Sequence, residues 1–492
     1  MAAPGPVRYA VGIDLGTSGC KVVALDAGGR LLAAAEARYP MAVPRPGWAE
    51  QDPASWWRAA GRGVRKLQAG LPPGATPIGV GVTGQMHSLV ATDARRRVIR
   101  PAILWCDQRS EPQARRITEL VGAPALSEIT LNPSRAAFTA AKLLWLREHE
   151  PDAYGRLRHA MLPKDWLVAR LTGRIVTEPS DASGTGLFDV PASSWSEPIL
   201  GRLDIDPAIL AEPQRSASVV GYVLPEAGAA FGLPAGIPVI AGGGDQATAA
   251  YAAGATGPGV LACSLGTSAT VLASQPAPVP GCLSHVIAAQ WLYLTSTHAG
   301  TLCLDWWSRV VAGPRRARPA EVLRAAAASE PGARGVGFVP LLMGERDPAP
   351  RRPPQTGSFY GLRAEHTGAD LARAVIEGIA FEVRRIARSV PTPGPAPDTA
   401  LGPPRRWRVL GGGTRAPLLV QTLADVLQEP LHLMPDASSA AGAARLALAG
   451  LGVGVPAAGE GGSGFQPDRG VDYDAAFGAY CARISGSDDI GR

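Results

Sequence analysis

Cysteine is sparse and unpatterned in this chain. Cys20, Cys106, Cys263, Cys282, Cys303 and Cys481 include no Cys-x-x-Cys spacing, which argues against a disulfide framework or a zinc site and predicts buried, reduced thiols. No apolar run approaches the roughly 20 residues that a bilayer-spanning helix needs, so no membrane role is expected. The opening Met-Ala-Ala-Pro-Gly-Pro lacks the basic stretch and apolar core of an export signal, and the expected location is the cytoplasm. Charged residues make up only 18% of the chain and the net charge is +6. The arginines are dispersed, with dense runs only at Ala94–Arg100 and Pro314–Arg318, neither interleaved with aromatics, so no nucleic-acid partner is expected. The seven histidines show no paired spacing.

Lysine is nearly absent. Only Lys21, Lys66, Lys142 and Lys164 occur in a chain that otherwise uses arginine. A compact ammonium in place of a rigid guanidinium fork is then either a chemical choice or chance.

What is present is repetition. At 492 residues the chain exceeds what one core usually supports, which predicts two domains of similar size. Val11–Gly19 reads Val-Gly-Ile-Asp-Leu-Gly-Thr-Ser-Gly, and Leu261–Ser268 reads Leu-Ala-Cys-Ser-Leu-Gly-Thr-Ser. Each turn follows an apolar strand and precedes two more, at Lys21–Asp26 and Arg30–Tyr39 in the first half and at Ala269–Ala273 and Trp291–Ser296 in the second. Between the copies, Pro238–Gln246 reads Pro-Val-Ile-Ala-Gly-Gly-Gly-Asp-Gln: a short strand, three glycines that let main chain and a ligand approach closely, and a carboxylate opening an alanine-rich helix. Asp52-Pro53 starts a helix running to about Leu71, Pro179–Asp189 reads as a turn-rich loop, Pro391–Pro404 as a surface loop and Gly452–Gly470 as flexible, and a short helix is expected near Tyr473–Ala482. The expected fold is α/β: two duplicated actin-like (RNase H-like) ATPase domains with an active-site cleft between them. The expected spans are 1–245 and 246–455, with a tail at 456–492.

Two such turns can bind a polyphosphate from both sides. Gly16 and Gly266 permit the tight turn, while backbone N–H groups and the hydroxyls of Thr17, Ser18, Thr267 and Ser268 offer donors. The Gly-x-x-x-x-Gly-Lys-Ser/Thr pattern is missing, so this is not a Walker loop. Gly411, Gly412 and Gly413 form a third glycine-rich turn suited to a nucleoside, although taken alone the residues favour a plain strand-to-helix turn. Asp14 ends a buried strand and could hold a magnesium ion against phosphate oxygens, or merely cap its turn. Phosphoryl transfer needs positioning, charge neutralisation and a base near the acceptor hydroxyl, a role that fits Asp245. Gln85, His87, Asp107, Asp245 and Gln246 supply donors and acceptors for a hydroxyl-rich ligand, whereas Trp56, Trp57, Trp306 and Trp307 read as packing residues.

These residues resemble the FGGY family of carbohydrate kinases. The match runs through Gly12–Ser18, Gly-Gln-Met-His at Gly84–His87, Ala102–Arg109, Phe138–Trp145, Leu-Pro-Lys-Asp at Leu162–Asp165, Ser180–Thr185, Gly242–Asp245, Ser264–Ser268, Gly344–Arg346 and Phe359–Glu377. The resemblance implies an ATP- and Mg2+-dependent kinase acting on a terminal hydroxyl of a free sugar, the C5 hydroxyl of D-xylulose being the expected acceptor. It implies that Asp245 is the catalytic base and, with Asp14, a metal ligand; that Gln85, Met86, His87, Trp105, Asp107, Asp245 and Gln246 surround the sugar; and that the turns at Gly16, Gly266 and Gly412 hold the nucleotide. Gln246 departs from the Asn usual in the pentulose-kinase branch. Ribulose, glycerol or another ketose or polyol therefore stays open as substrate. An actin-fold ATPase switch is the alternative of another class, but it needs a peptide-binding domain for which nothing after Leu451 is patterned. The reading leaves room for a homodimer.

Overall fold

The computed structural model describes residues 7–313, 318–344, 356–391, 405–456 and 464–485. The expected loop at Pro391–Pro404, the Pro314–Arg318 run, the Gly344–Arg346 motif and the middle of Gly452–Gly470 lie wholly or largely outside them. The chain forms two compact units. One gathers Met1–Ala252, Ser274–Leu292 and Asp436–Ala458, and the other gathers Ala253–Ala273, Tyr293–Pro435 and Gly459–Arg492.

In the first unit, strands β1 (Arg8–Leu15), β2 (Gly19–Asp26) and β3 (Leu31–Arg38) form the antiparallel meander read from the sequence. β4 (Thr76–Gly84) pairs parallel with β1, β6 (Pro238–Ile240) parallel with β4, and β5 (Val219–Tyr222) closes the edge antiparallel, giving the order β3-β2-β1-β4-β6-β5. β1 is buried on both faces, as a central strand between helices must be. One covering helix, Pro53–Ala69, starts where Asp52 accepts the amide of Ala54 (2.9 Å) and Pro53 takes the first position. It buries Trp56, Ala60, Val64 and Leu67 along a single stripe. The fully buried Trp56 alone removes on the order of 200 Å2 from water, worth roughly 5 kcal/mol at 25 cal/mol/Å2 before entropy is subtracted. On the opposite face lies Ser439–Gly450, a helix from far along the chain. A Cβ on Gly12 or Gly81 would fall 1.9 or 2.0 Å from the carbonyls of Ala440 and Ala443, so this backbone contact demands glycine.

The second unit repeats the plan. β7 (Val260–Leu265), β8 (Ala269–Gln275) and β9 (Trp291–Thr297) precede β10 (Arg406–Leu410), β11 (Leu431–Leu433) and β12 (Gly464–Phe465), in the order β9-β8-β7-β10-β11-β12. β7 and β8 are antiparallel, β10 is parallel to β7, β11 is parallel to β10, and β12 is an antiparallel edge. Five strand positions thus correspond between the units. The sixth is an edge strand that precedes the fifth strand in the first unit and follows it in the second.

The helix Asp474–Ser485 buries Phe477, Tyr480 and Ile484 against Gly368–Ala387, so it belongs to the second unit. All six cysteines are free. Among the described residues no helix is long and apolar enough to cross a membrane.

Candidate active site

Three strand ends of the first unit fall in register. Asp14 pairs with Thr83 across β1 and β4, and Thr83 pairs with Gly243, so the carboxylate ending β1 and the one opening the helix Asp245–Ala252 emerge on the same side of the sheet. This is the carboxyl edge where open α/β sheets bind ligands. Burial, then the charge of neighbouring Asp14, pushes the Asp245 carboxyl up to about 7, while hydrogen bonds from Gln246 pull the other way. Burial likewise lifts Asp14 to about 6, opposed by Lys21, its cross-strand partner.

The three glycines before Asp245 serve internal packing. At φ +84°, Gly242 lies where a Cβ would sit 1.9 Å from the carbonyl of Val82, and a Cβ on Gly244 would strike Met86 at 2.9 Å. Their absent side chains let Met86 and the end of β4 close against the peptide that carries Asp245.

Of the residues expected at the sugar, Gln85 is buried and donates from Nε2 to Gln51 Oε1 (3.1 Å), while its Oε1 has no hydrogen-bond partner among the described residues. His87 is held at φ +67° with Nδ1 2.7 Å from the carbonyl of Gly184, against the ring of Phe138. Trp105 donates its indole N–H to Thr17 Oγ1 (3.0 Å), joining the Ala102–Arg109 segment to the first glycine turn. Asp107 is fully buried and its oxygens are taken by the Arg109 guanidinium (2.7 and 2.9 Å) and the amides of Ala49 and Arg109. That geometry makes Asp107 a brace for its loop and leaves it little capacity for a sugar hydroxyl. Gln246 stands half-buried beside Asp245.

The two glycine turns are related but not identical. Gly16 N–H donates to the carbonyl of Gly19 (3.1 Å), whereas Gly266 N–H donates to that of Ser268 (2.9 Å). The first hairpin carries one extra residue, and Ser264 stands where Asp14 stands. Thr17 is committed, its carbonyl to Gln51 and its hydroxyl to Trp105, while Ser18 is exposed. In the second unit the amide and hydroxyl of Thr301 brace the carbonyl of Gly266 (2.8 and 3.0 Å). Gly411, at φ +93°, packs so tightly on Leu265 that a Cβ would meet its carbonyl at 2.6 Å. Gly411 and Gly412 are exposed and Gly413 is buried, so this turn and Gly266–Ser268 lie side by side.

Among the described residues no group of three or more His, Cys, Asp or Glu side chains could hold a metal ion. A Mg2+ ion asks for less, since it takes one or two carboxylates and fills its shell with water and phosphate oxygens. Asp14 fits that demand: its Oδ1 is buried without a hydrogen-bond partner among the described residues, and Asp245 feels its charge.

A buried ionic network behind Asp245 was not legible as such from the sequence. Lys164 Nζ lies 2.5 Å from Asp165, 3.8 Å from Asp181 and 4.0 Å from Glu178, all essentially inaccessible, and reaches the carbonyl of Ala241 at 3.4 Å. Burial works against this ammonium, yet Asp165, Glu178 and Asp181 together raise its pKa above the usual lysine range. Burial, partly offset by Lys164, lifts the Asp181 carboxyl well above the usual range. The sequence reads as a turn-rich loop over Pro179–Asp189. Instead Pro179–Ala182 is a helical turn, Ser183–Thr185 a 3-10 turn and Phe188–Asp189 a strand, because Glu178 caps the amides of Ser180 and Asp181. Lys142 is also fully buried, and its Nζ gathers the carbonyls of His87, Ala136, Ala137 and Phe138. Beside this segment opens a cavity of about 690 Å3, lined in part by Pro179, Ser216, His285 and Trp291 and by none of the residues expected at the sugar.

A duplicated actin-like plan with an acidic strand edge in one half and paired glycine turns in the other defines a nucleotide-using phosphotransferase of the sugar-kinase type. Residues 9–252 match the model of the FGGY family of carbohydrate kinases, N-terminal domain, and residues 261–451 match its C-terminal domain; the chain belongs to this family. It is 34% identical over 447 residues to a xylulose kinase of Escherichia coli, covering 89% of each chain. Among solved structures it is similar to a "xyloylose kinase" from Brucella ovis, with a TM-score of 0.86 at 31% identity over 98% of this chain and 100% of that one. It is also similar to a xylulose kinase from Rhodospirillum rubrum, with a TM-score of 0.86 at 27% identity over 98% of each.

Proposed function

We propose that this protein phosphorylates D-xylulose on its C5 hydroxyl, transferring the γ-phosphoryl group of ATP and releasing D-xylulose 5-phosphate and ADP. The observation that carries the reading is the Asp14–Asp245 pair, raised to about 6 and about 7 at one edge of the first unit, in a family of carbohydrate kinases. A base with a pKa near the working pH is well matched to draw a proton from an alcohol. Asp245 accepts the C5 hydroxyl proton as that oxygen attacks the γ-phosphorus; the P–O bond to the β-phosphate breaks and ADP leaves. Gln85 Oε1, Met86, His87, Trp105 and Gln246 shape the sugar's surroundings, with Asp107 bracing them through Arg109. The turns Gly16–Ser18, Gly266–Ser268 and Gly411–Gly413 receive the nucleotide, and Asp14 and Asp245 are the residues that hold Mg2+. When bound, that ion neutralises charge on the phosphate oxygens. A reaction on free pentulose and ATP belongs in the cytoplasm.

The mechanism is tested with Asp245→Asn, which is expected to bind D-xylulose and to lose phosphorylation by at least a thousandfold. Substantial residual turnover removes Asp245 from the base role. The substrate is tested by a coupled ADP-release screen over pentuloses, hexuloses and polyols. D-xylulose is expected to give the highest kcat/KM, and a higher value for ribulose or glycerol overturns that choice.

A further inference from the structure

Asp245 is fixed by the peptide before it, and that peptide is hydrogen-bonded to a residue 64 positions away. The amide of Gly244 donates to Ser180 Oγ at 3.0 Å. Because the amide can only donate, the hydroxyl proton of Ser180 points elsewhere, and it meets Glu178 Oε1 at 2.7 Å. Glu178 is immobilised in turn by the amides of Ser180 (3.0 Å) and Asp181 (2.8 Å) and by Ser216 Oγ (2.6 Å). Glu178 and Ser180 are inaccessible to solvent. The chain Glu178–Ser180–Gly244 thus has one hydrogen-bond direction, and both of its side chains are shut off from bulk solvent.

We propose that Ser180, oriented by Glu178, is a positioning residue for Asp245: it fixes the peptide from which the carboxylate projects and so sets its distance to the acceptor hydroxyl. The proposal rests on Asp245 being the base. Without the hydroxyl, the buried Gly244 amide loses its acceptor and the strand-to-helix turn can shift, which damages proton abstraction more than sugar affinity. A misplacement of about 1 Å at a reacting group costs on the order of a hundredfold in rate.

The test compares Ser180→Ala, Ser180→Thr, Glu178→Gln and Ser196→Ala in the full chain. Ser196 is a buried hydroxyl that likewise accepts a backbone amide, from Ile199 at 3.3 Å, at a helix start with no link to Asp245. Its replacement therefore registers the purely structural cost. The readouts are kcat in the coupled assay, the Kd for D-xylulose from tryptophan fluorescence, and Tm. Ser180→Ala is expected to lower kcat about 10–100-fold with Kd within twofold of wild type, and Ser180→Thr to recover kcat to within about fivefold. Ser196→Ala is expected to lose comparable Tm with kcat within twofold. If Ser180→Ala does not fold, Glu178→Gln, which puts an amide where the network supplies only donors, is expected to show the same split at about 3–10-fold. A Ser180→Ala kcat within threefold of wild type, or a loss appearing in Kd rather than kcat, overturns the proposal. Asp245→Asn run in parallel separates the two readings. If it is inactive while Ser180→Ala is not, only the positioning role fails; if it remains active, the assignment of the base fails first.

Discussion

Removing the charge at Asp245 is expected to stabilise the protein while silencing it. The carboxyl is raised from the ordinary aspartate value of 3.8 to about 7 by burial and by Asp14, so between these two pH values the folded state binds a proton that the unfolded chain has released. Stability therefore falls as pH rises from about 4 to about 7, and above that the whole cost is present. A shift of about 3 units at about 1.4 kcal/mol per unit corresponds to roughly 4 kcal/mol, and allowing for the side chain's partial exposure gives about 2–4 kcal/mol. Asn has nearly the same shape and no charge to desolvate. For a unit of about 300 residues a kcal/mol is worth roughly 1.5 °C, so Asp245→Asn should raise Tm by about 3–6 °C at pH 8 in EDTA. The assay is a thermal melt of both proteins at half-unit intervals from pH 4.5 to 8.5. The gap should be nearly full above pH 7 and shrink to about a quarter of that by pH 4.5, and Mg2+ should narrow it at pH 8 by stabilising the wild type alone. An Asp245→Asn protein no more stable than wild type at pH 8, or a gap that does not change with pH, refutes the claim that the fold holds this carboxylate at a cost.

Two further substitutions test how the elements around the site are held. Gly242→Ala, which forces a side chain onto φ +84° and into the carbonyl of Val82, is expected to cost more than about 3 kcal/mol and to leave little soluble protein, as measured by yield and denaturant midpoint. Tyr480→Phe removes the hydroxyl that donates to Glu382 (2.7 Å) in the core of the second unit. It should lower stability by about 1 kcal/mol with kcat within twofold, and an equal loss of kcat would mean that the terminal helix supports more than its own unit's packing.

The scaffold was legible because its signals are local. A meander of three apolar runs separated by tight turns is written within about 40 residues, and seeing it twice predicts the duplication. The Asp52-Pro53 helix start likewise follows from capping residues carried by the segment itself. Asp107 shows the limit of reading by residue type: a carboxylate in a polar run is expected to face a ligand, but two positions on Arg109 closes around it. The glycine run shows another. Three glycines suggest a ligand's approach, whereas the structure spends them on Val82, Val286 and Met86, groups that no local pattern brings together.

The lysines were the one signal that reached the buried network. In a chain biased to arginine, Lys21 and Lys66 are exposed, whereas Lys142 and Lys164 have no solvent exposure at all. Each buried ammonium sits where a planar guanidinium fork has no matching geometry: Lys142 within a ring of carbonyls, Lys164 among three carboxylates and the carbonyl of Ala241. A point charge with three donors satisfies such a ring, so the rarity of lysine reflects a geometric demand met at these two positions. Both anchor backbone next to the residues assigned to chemistry, since the carbonyl of His87 belongs to one and the strand leading to Asp245 to the other. The acid at position 245 therefore owes its place to partners drawn from near residues 83, 164 and 180, and that dispersion is why it could be proposed from a motif while its support could not.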